Sequence, residues 1–512
     1  MAIKRYKANA DNTIVNAFDP GWKLRATGSN SGMADVMEVY SIYGRVTSGS
    51  QELSRILVKF PASTISSDRT AGTIPASGSV SFYLRLFNAQ HSKTVPRDYK
   101  LVVNPMFTNW QEGTGLDLEN YKDNTLGNVG SNWMSASNTT SWHAASGGGD
   151  WLSSSADYRY EQTFETGLED LEIDVTPLVE RWIKGASGGG IANYGVGVKL
   201  SSSYEGRATG STGVDQSVQN NPLGATVSYY TKRFFARGSQ YFFKRPVIEA
   251  RWNDARKDDR GDFYLSSSLA TAAENLNTIY LYNYVRGVLR DIPNVTNGDP
   301  IFVNIYSGSL YNTGPYGSAL TQVLYTPATG GWVSTGIYSC SLGVASSSTV
   351  PDPMFDVWIS GSTQYFTGTI EPLELSAAQT VAKPVYYINI TNLKGKYRSN
   401  ENARFNLYVR NRNWNPTVYV TSQADPPATA IASASYRVYR TLDAYEAIPY
   451  GTSSDMYTQL SYDVSGNYFD FNMSSLEPGY TYAFKFAFYD PALASWTEQP
   501  ETFKFRVEDY EY

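Results

Sequence analysis

Apolar and polar residues alternate with a period of two in many short stretches along the whole chain. In three of these stretches the apolar face is formed by Phe82, Leu84 and Leu86, by Phe405, Leu407 and Val409, and by Phe484, Phe486 and Phe488. This alternation is typical of β-strands that bury one face and expose the other. The sequence therefore predicts an all-β fold.

The composition supports this prediction. The chain has 40 Tyr, 22 Phe and 11 Trp, which suit the pleated surface of a sheet, and 42 Gly for the turns between strands. Because 512 residues exceed what one compact core holds, we expect several domains, each a β-sandwich.

Charge and reactive residues narrow the function classes. With 42 Lys and Arg against 48 Asp and Glu and no basic cluster, nucleic acid is not an expected partner. The single cysteine, Cys340, and two histidines provide neither a disulfide nor a zinc ligand set. We expect Cys340 to be a buried apolar residue. No apolar run reaches the ~18 residues of a membrane span, and the first residues do not resemble a secretory signal.

One segment departs from the strand pattern. In DVTPLVERWIKG, Thr176 is placed to cap a helix and Pro177 suits its first turn. Leu178, Val179, Trp182 and Ile183 would share one face, and Gly185 would end the helix. The segment predicts a short helix lying on a sheet.

Composition also predicts the domain boundaries. The polar run NDARKDDRGD, at 253–262, is typical of a linker, and we interpret its Arg-Gly-Asp tripeptide as linker charge. A second junction is expected near LELSAAQTVAKPVYY. The predicted domains are a sandwich at 1–253 and immunoglobulin-like sandwiches at 254–380 and 381–512.

The first of these domains resembles the DNRLRE family, a group of jelly-roll-like sandwiches related to carbohydrate-binding modules. Six landmarks appear in the family's order: ADNTIVN, SRILVKF, SVSFYLRLF, FTNWQEG, IDVTPLVERWIKG with NYGVGVKL, and RFFARGSQYFFKRPVIEARW. The closing element departs from the family, because Arg237-Gly238-Ser239 stands where a Glu is usual. In the third domain, LEPGYTYAF resembles the tyrosine corner of fibronectin-like sandwiches, with Tyr480 or Tyr482 as the corner residue.

The TNWQEG landmark has three interpretations. Trp110 and Glu112 could pack at a strand end, contact a ligand, or form half of a glycoside-cleaving site. Acid catalysis on a glycoside requires a second carboxylate across a cleft, and the sequence identifies none. The resemblance implies the first interpretation.

The insert at 124–152 provides the candidate contact residues Trp133, Trp142 and Trp151. Exposed tryptophans on a glycine-rich loop could stack on a sugar ring. Alternatively, they could cover one end of the sandwich or bury against another protein. Asp117, Glu119 and Asp123 are candidate calcium ligands, but they lack a defined ligand spacing, so no cofactor is expected.

Together these features predict a non-enzymatic protein. DNRLRE-like and immunoglobulin-like modules without a secretory signal resemble virion structural proteins of tailed bacteriophages, which are made in the host cytoplasm and released by lysis. The resemblance implies a decoration, collar, baseplate or fibre component that binds other virion proteins and copies of itself. The alternative is a carbohydrate-binding adhesion module for a host surface polysaccharide. An enzyme acting on that polysaccharide is a third hypothesis.

Overall fold

A computed structural model describes the chain at residues 2–16, 30–44, 50–91, 95–116, 130–143, 147–153, 155–208, 221–308, 314–321, 323–324, 328–345, 353–373, 385–414, 428–451, 456–491 and 493–510. The chain divides into two compact units, Ala2–Asn253 and Asp254–Tyr512, here called the N-terminal and C-terminal units. The three-domain division stays a prediction, and its second junction falls at 374–384, outside the described residues.

The N-terminal unit is built from two antiparallel sheets. Its strands are β1 (Ile3–Lys7), β2 (Ala10–Val15), β3 (Val36–Gly44), β4 (Ser50–Lys59), β5 (Ser81–Leu86), β6 (Tyr99–Pro105), β7 (Tyr160–Phe164), β8 (Leu171–Asp174), β9 (Val196–Leu200), β10 (Tyr229–Phe235) and β11 (Val247–Arg251). One sheet has the order β1-β11-β5-β8. The other has the order β10-β3-β4-β9-β6-β7, with β2 also paired to β4.

The main core of this unit lies between the two sheets. Phe82, Leu84 and Leu86 from β5 are fully buried, which confirms the predicted apolar face. They belong to the same apolar cluster as Ile56 and Val58 from the opposing sheet. The predicted alternation therefore describes real inward faces of a β-sandwich.

A short helix, α2 (Thr176–Lys184), packs on this core through Leu178, Val179 and Trp182, as predicted. The predicted cap is wrong. The Thr176 side chain instead accepts a hydrogen bond at 2.8 Å from the backbone N–H of Phe82 in β5, so it ties the helix to the sheet.

A second helix, α1 (Ala62–Thr70), was not expected from the sequence. Its residues are mostly polar, and of them only Ala62 and Ile65 are buried, so it lacks a clear apolar stripe. Arg69 binds both carboxylate oxygens of Glu180 in α2 at 2.6 and 2.7 Å. Tertiary contacts rather than local sequence pattern thus support α1.

The C-terminal unit begins with one continuous antiparallel sheet of order β13-β20-β19-β16-β21-β22. Its strands, with shorter neighbours, are β12 (Phe263–Tyr264), β13 (Asn277–Tyr282), β14 (Tyr284–Val285), β15 (Val288–Leu289), β16 (Ile301–Gly308), β17 (Pro315–Tyr316), β18 (Val323–Leu324), β19 (Ala328–Ser334), β20 (Ile337–Val344), β21 (Met354–Ser360), β22 (Thr363–Ile370) and β23 (Pro372–Leu373). Strand β19 pairs with β16 through its first half and with β20 through its second. Cys340 is buried in this core, as predicted.

The remaining strands form two sheets in immunoglobulin order. They are β24 (Tyr386–Ile390), β25 (Lys396–Arg398), β26 (Asn402–Asn411), β27 (Ala434–Arg440), β28 (Glu446–Ile448), β29 (Ser461–Asp463), β30 (Gly466–Asn472), β31 (Thr481–Asp490), β32 (Ser495–Glu498) and β33 (Phe503–Glu508). The orders β24-β26-β30-β29 and β25-β33-β31-β27-β28 correspond to the ABED and A′GFCC′ sheets of an Ig-like sandwich.

Aromatic rings fill the space between these two sheets. Phe405 of β26 lies 4.9 Å from Phe484 of β31, and Phe469 of β30 lies 5.2 Å from Phe484, measured between ring centroids. The corner tyrosine is Tyr482, whose hydroxyl donates to the carbonyl oxygen of Glu477 at 2.8 Å. The sequence alone left Tyr480 and Tyr482 as alternatives.

The segment at 253–262 is not a solvated linker, which corrects the interpretation of the Arg-Gly-Asp tripeptide. Asp259–Gly261 forms a 3₁₀ turn, and the Arg260 side chain is buried between Asp258 and Asp356. Its nitrogens lie 2.6 and 2.8 Å from the two carboxylates. Arg260 is therefore part of the packed unit, because a buried guanidinium needs paired carboxylates.

The chain is thus all-β and built of β-sandwiches, as predicted, with an Ig-like one at its C-terminal end. In the part of the chain that the structure describes, neither helix has the length and apolarity that a membrane span requires.

Candidate functional site

The TNWQEG landmark lies where three distant segments of the N-terminal unit meet. The Arg237 guanidinium donates to the two carboxylate oxygens of Glu112 at 2.5 and 2.7 Å. Glu112 also accepts from the backbone N–H of Asp11 at 2.8 Å, and the backbone N–H of Arg237 donates to Asp11 at 2.5 Å. We call Asp11, Glu112 and Arg237 the landmark cluster.

The electrostatics of this cluster fit a structural role. The pKa of the Asp11 carboxyl is raised to about 7, because burial and the charge of Glu112 outweigh the opposing effects of the backbone N–H and the charge of Arg237. Both oxygens of Glu112 face a guanidinium, so it is not placed to transfer a proton to a substrate. Trp110 is buried and donates its indole N–H to the carbonyl of Tyr194 at 2.8 Å. The arrangement matches the packing interpretation of TNWQEG.

The candidate contact tryptophans lie on the outer face of the larger sheet. Trp133 and Trp142 are 1% and 5% exposed, and Trp151 is half-buried. They belong to a second apolar core, here called the tryptophan core, formed by Ile14, Leu53, Leu57, Met106, Trp110, Trp133, Ala136 and Trp142, with Trp151 packed against it. Leu57 points into this core while its neighbours Ile56 and Val58 point into the main core.

This burial bears on the alternatives for the tryptophan insert. A side chain that is almost fully covered cannot stack on a sugar ring, so Trp133 and Trp142 form part of a plug over the sheet. Trp151 keeps an exposed edge, and the ammonium of Lys199 lies 5.0 Å from its ring centroid. Of the three residues, Trp151 alone retains a surface that could take part in a contact.

A buried ion pair lies beside the tryptophan core, on the same face of β4. The Arg55 guanidinium, 1% exposed, binds Glu205 at 3.0 Å and donates to the carbonyl of Gly148 at 2.8 Å. It also lies 5.0 Å from the ring centroid of Trp133. Burial and the charge of Arg55 together lower the pKa of Lys199 to about 8, against the opposing charge of Glu205. These charges hold the insert on the sheet and are not directed at a cleft.

Beside Trp151, the polar side chains of Thr108, His143 and Asp150 contact one another, and the ring of Phe107 packs against His143. The hydroxyl of Thr108 donates to Asp150 at 2.5 Å, and Nδ1 of His143 lies 2.9 Å from the same carboxylate oxygen. The Thr108 hydroxyl lies 3.1 Å from that same Nδ1. A nucleophile relay needs the hydroxyl and the carboxylate on opposite ring nitrogens, so this group does not form one. The exposed ring of Phe107 meets His143 edge to face, with centroids 5.6 Å apart.

The sequence analysis did not predict a hairpin in the C-terminal unit that exposes apolar side chains. Strands β14 and β15 are joined by Arg286 and Gly287, both with positive φ (53° and 78°), as in the type I′ turns of two-residue hairpins. Tyr284, Val285 and Val288 are 56%, 44% and 58% exposed. The signal in the sequence is YVRGVL, in which apolar pairs flank a glycine-containing turn. It was missed because Arg-Gly is a weaker turn signal than Asn-Gly.

No three His, Cys, Asp or Glu side chains among the described residues come together in a way that could hold a metal ion. The candidate calcium ligands Asp117, Glu119 and Asp123 lie at 117–129, outside the described residues.

Comparisons with known proteins complete the description. No family model matches the sequence, and no curated protein matches it. Among solved structures the chain is similar to the N-terminal Ig1-2 module of the Drosophila receptor protein tyrosine phosphatase DLAR, with 8% identity, a TM-score of 0.14, and coverage of 46% of this chain and 91% of that one. For DIP-gamma IG1+IG2 the identity is 9%, the TM-score 0.11 and the coverage the same. For Salmonella alpha-2-macroglobulin reacted with methylamine the identity is 10% and the TM-score 0.14, and the match covers 99% of this chain and 34% of that one. At such scores these likenesses carry no argument, and the sandwich architecture stands on the strand order of the chain itself.

Proposed function

We propose that this chain is a non-enzymatic structural protein of a tailed-bacteriophage virion, which acts through contacts with copies of itself and with other virion proteins. The observation that carries the proposal is the β14–β15 hairpin, in which the cross-strand partners Val285 and Val288 and the preceding Tyr284 are all exposed. Clustered exposed apolar side chains of this kind mark sites of protein contact. The resemblance of the sequence to DNRLRE-like modules followed by Ig-like modules supports the assignment to a virion.

The acidic and basic groups support a structural role. Glu112, Glu205, Glu249 and Asp356 each face an arginine of their own unit. Paired in this way, they hold segments of each sandwich together and are not free for acid and base chemistry.

The test is the composition of purified particles. Lysate from cells that carry the gene is fractionated by density, and tailed particles are analysed by peptide mass spectrometry and by immunogold labelling against this chain. We expect the protein in stoichiometric amounts and at one place on the particle. A protein that stays in the soluble fraction and does not co-purify with particles contradicts the proposal.

A second candidate function is recognition of a surface polysaccharide. The observation that favours it is the surface beside Trp151 where the exposed rings of Phe107 and His143 meet, with His143 held by the buried carboxylate of Asp150. An aromatic face bordered by polar groups suits a pyranose ring. Glycan-array binding by the intact chain that is lost in Phe107→Ala, but kept in Leu168→Ala at another exposed position, would support it. If the array includes host polysaccharide and the intact chain gives no binding signal, the result counts against polysaccharide recognition.

A further inference from the structure

We propose that the β14–β15 hairpin of one copy inserts into an apolar pocket on the Ig-like sandwich of a second copy. The inference rests on the proposed self-assembly and identifies the two surfaces that make the contact. Both surfaces belong to every copy, so each chain offers one hairpin and one pocket.

Hydrogen bonds between the two strands hold the base of the hairpin together. At its base the side-chain amide of Asn283 donates to the carbonyl of Arg290 at 2.7 Å, and the backbone N–H of Arg290 donates to the carbonyl of Asn283 at 3.0 Å. Val285 and Val288 are cross-strand partners next to the turn. A two-stranded hairpin is marginally stable in water by itself, so a partner that covers its apolar tip would stabilise it.

The pocket lies at the end of the Ig-like sandwich, between β24 and the β31–β32 hairpin. It has a volume of about 410 Å³, and its wall includes Val385, Ile431, Phe488, Pro491, Leu493 and Pro500. Val385 and Leu493 at its rim are 45% and 49% exposed. An apolar pocket with exposed aliphatic residues at its rim fits two valine side chains better than a charged or extended polar ligand.

The charges of the two surfaces are complementary. Arg286 lies at the hairpin tip, is exposed, and makes no ion pair with the described residues. The described residues that line the pocket include the acidic Asp490 and Glu498 and no Lys or Arg. Glu498 already faces Arg437 at 2.9 Å, so the attraction for an incoming cation comes from Asp490. A second copy therefore brings Arg286 towards Asp490 as its valines enter the apolar wall, which orients the approach.

The contact joins different surfaces of the two copies and is therefore heterologous. Such contacts generate rings when the rotation closes and filaments when it does not. A single hairpin tip buries less than the ~800 Å² per partner of a standard interface, so one link should have a micromolar Kd. We expect assembly to be concentration-dependent and to strengthen when several links close a ring.

The test is sedimentation velocity of the full chain across a micromolar concentration series. The hairpin variant carries Val285→Ser and Val288→Ser, the pocket variant carries Leu493→Arg, and the control carries Leu442→Ser at an exposed leucine away from both surfaces. The wild type and the control should associate, and each interface variant should associate at least about tenfold more weakly because it loses apolar contact area. Circular dichroism and thermal unfolding of each variant check that the fold is kept.

Mixing the two interface variants gives the decisive readout. A hairpin variant retains its pocket and a pocket variant retains its hairpin, so the mixture should form dimers and nothing larger. A wild type that is monomeric at every concentration, variants that associate like the wild type, or a mixture that stays monomeric would each overturn the inference. The proposed function is judged separately by co-purification with particles, so either one can fail without the other.

Discussion

Arg237 and Glu112 form a bidentate ion pair, in which two guanidinium nitrogens lie 2.5 and 2.7 Å from the two carboxylate oxygens. The two residues are 125 positions apart in the chain. The pair joins the loop after β6 to the loop after β10, and the Asp11 carboxylate of β2 accepts from the backbone N–H of Arg237. Arg237 therefore has a defined role in this chain. It neutralises two carboxylates that come together at one end of the sandwich.

We expect Arg237→Ala to lower the free energy of unfolding of the N-terminal unit by about 1–2 kcal/mol, because the pair is partly exposed and its loss leaves two carboxylates facing each other. Urea unfolding followed by tryptophan fluorescence measures the change. Lys100→Ala is the matched control, since it breaks the more exposed pair with Glu161 and should cost no more than about 0.5 kcal/mol. Equal effects of the two substitutions would contradict this role for Arg237.

Asp11 should make the N-terminal unit less stable as the pH rises. Its pKa is about 7 in the folded chain, mainly because of burial, and near 3.9 in an unfolded one. The folded state thus holds the proton more tightly, and a stabilisation on the order of 4 kcal/mol, complete below about pH 4, is lost as the pH rises through 7.

The substitution Asp11→Asn removes this titration and keeps an oxygen that can accept from the backbone N–H of Arg237. We expect its stability to be flatter than that of the wild type between pH 4 and 7, in denaturant unfolding at several pH values. Glu165→Gln, at an exposed carboxylate, should leave the wild-type pH profile unchanged. Parallel profiles for the wild type and Asp11→Asn would show that Asp11 does not titrate in this way.

Glu249 should act in the opposite direction, at lower pH. Burial alone would raise the pKa of its carboxyl, but the charges of Arg5, Arg85 and Arg251 outweigh burial and lower the pKa to about 2. A group with a lowered pKa stabilises the fold above its unfolded pKa of about 4.3, and this stability is lost as the pH falls towards 2.

We expect Glu249→Gln to destabilise the N-terminal unit by about 3–5 kcal/mol at neutral pH, because the variant leaves three buried or half-buried arginines without their shared carboxylate. It should also weaken the acid-induced loss of stability. Glu172 binds two of the same arginines but is 39% exposed, so Glu172→Gln should cost about 1 kcal/mol or less. Thermal unfolding from pH 2 to 7 compares the two variants, and similar losses in both would be inconsistent with the buried network.

The sequence predicted the fold correctly where the pattern of a single short segment shows which of its residues are buried. The alternation that places Phe82 and Phe405 on buried faces is a local pattern, and so is the apolar stripe of α2. It did not predict α1 or the burial of Arg260, because both depend on partners that are distant in sequence: Glu180 for α1 and Asp356 for Arg260. Without knowledge of such a partner, a charged segment that contains glycine is interpreted as a solvated linker.

The candidate contact residues illustrate the same limit. Tryptophans in a glycine-rich insert have no periodicity that would indicate whether they face solvent or a sheet. Trp133 is buried because the outer face of the larger sheet is itself apolar, and Ile14, Leu53 and Leu57 on that face pack against it. Since β4 also provides Ile56 and Val58 to the main core, it is a strand buried on both sides, and its continuous apolar run ILV was the available signal.

The burial of Arg260 also leads to a test. Arg260→Ala should lower the free energy of unfolding of the C-terminal unit by about 3–5 kcal/mol, because Asp258 and the fully buried Asp356 lose their shared counter-charge. Arg290→Ala, at an exposed position, should change it by no more than about 0.5 kcal/mol. Differential scanning calorimetry of both variants is the measurement. A small effect at Arg260 would restore the interpretation of this segment as a solvated linker.

The tyrosine corner gives the sharpest comparison, because the chain provides its own control two residues away. Tyr482→Phe removes only the hydroxyl that donates to the Glu477 carbonyl, which should destabilise the Ig-like sandwich by about 1–2 kcal/mol. The Tyr480 ring lies under the guanidinium of Arg440, with 4.7 Å to the centroid, so a phenylalanine there keeps the ring contact. Tyr480→Phe should therefore change the unfolding free energy by less than about 0.5 kcal/mol. If denaturant unfolding of the full chain shows equal losses for the two variants, or a larger one for Tyr480→Phe, Tyr482 is not the residue that closes this corner.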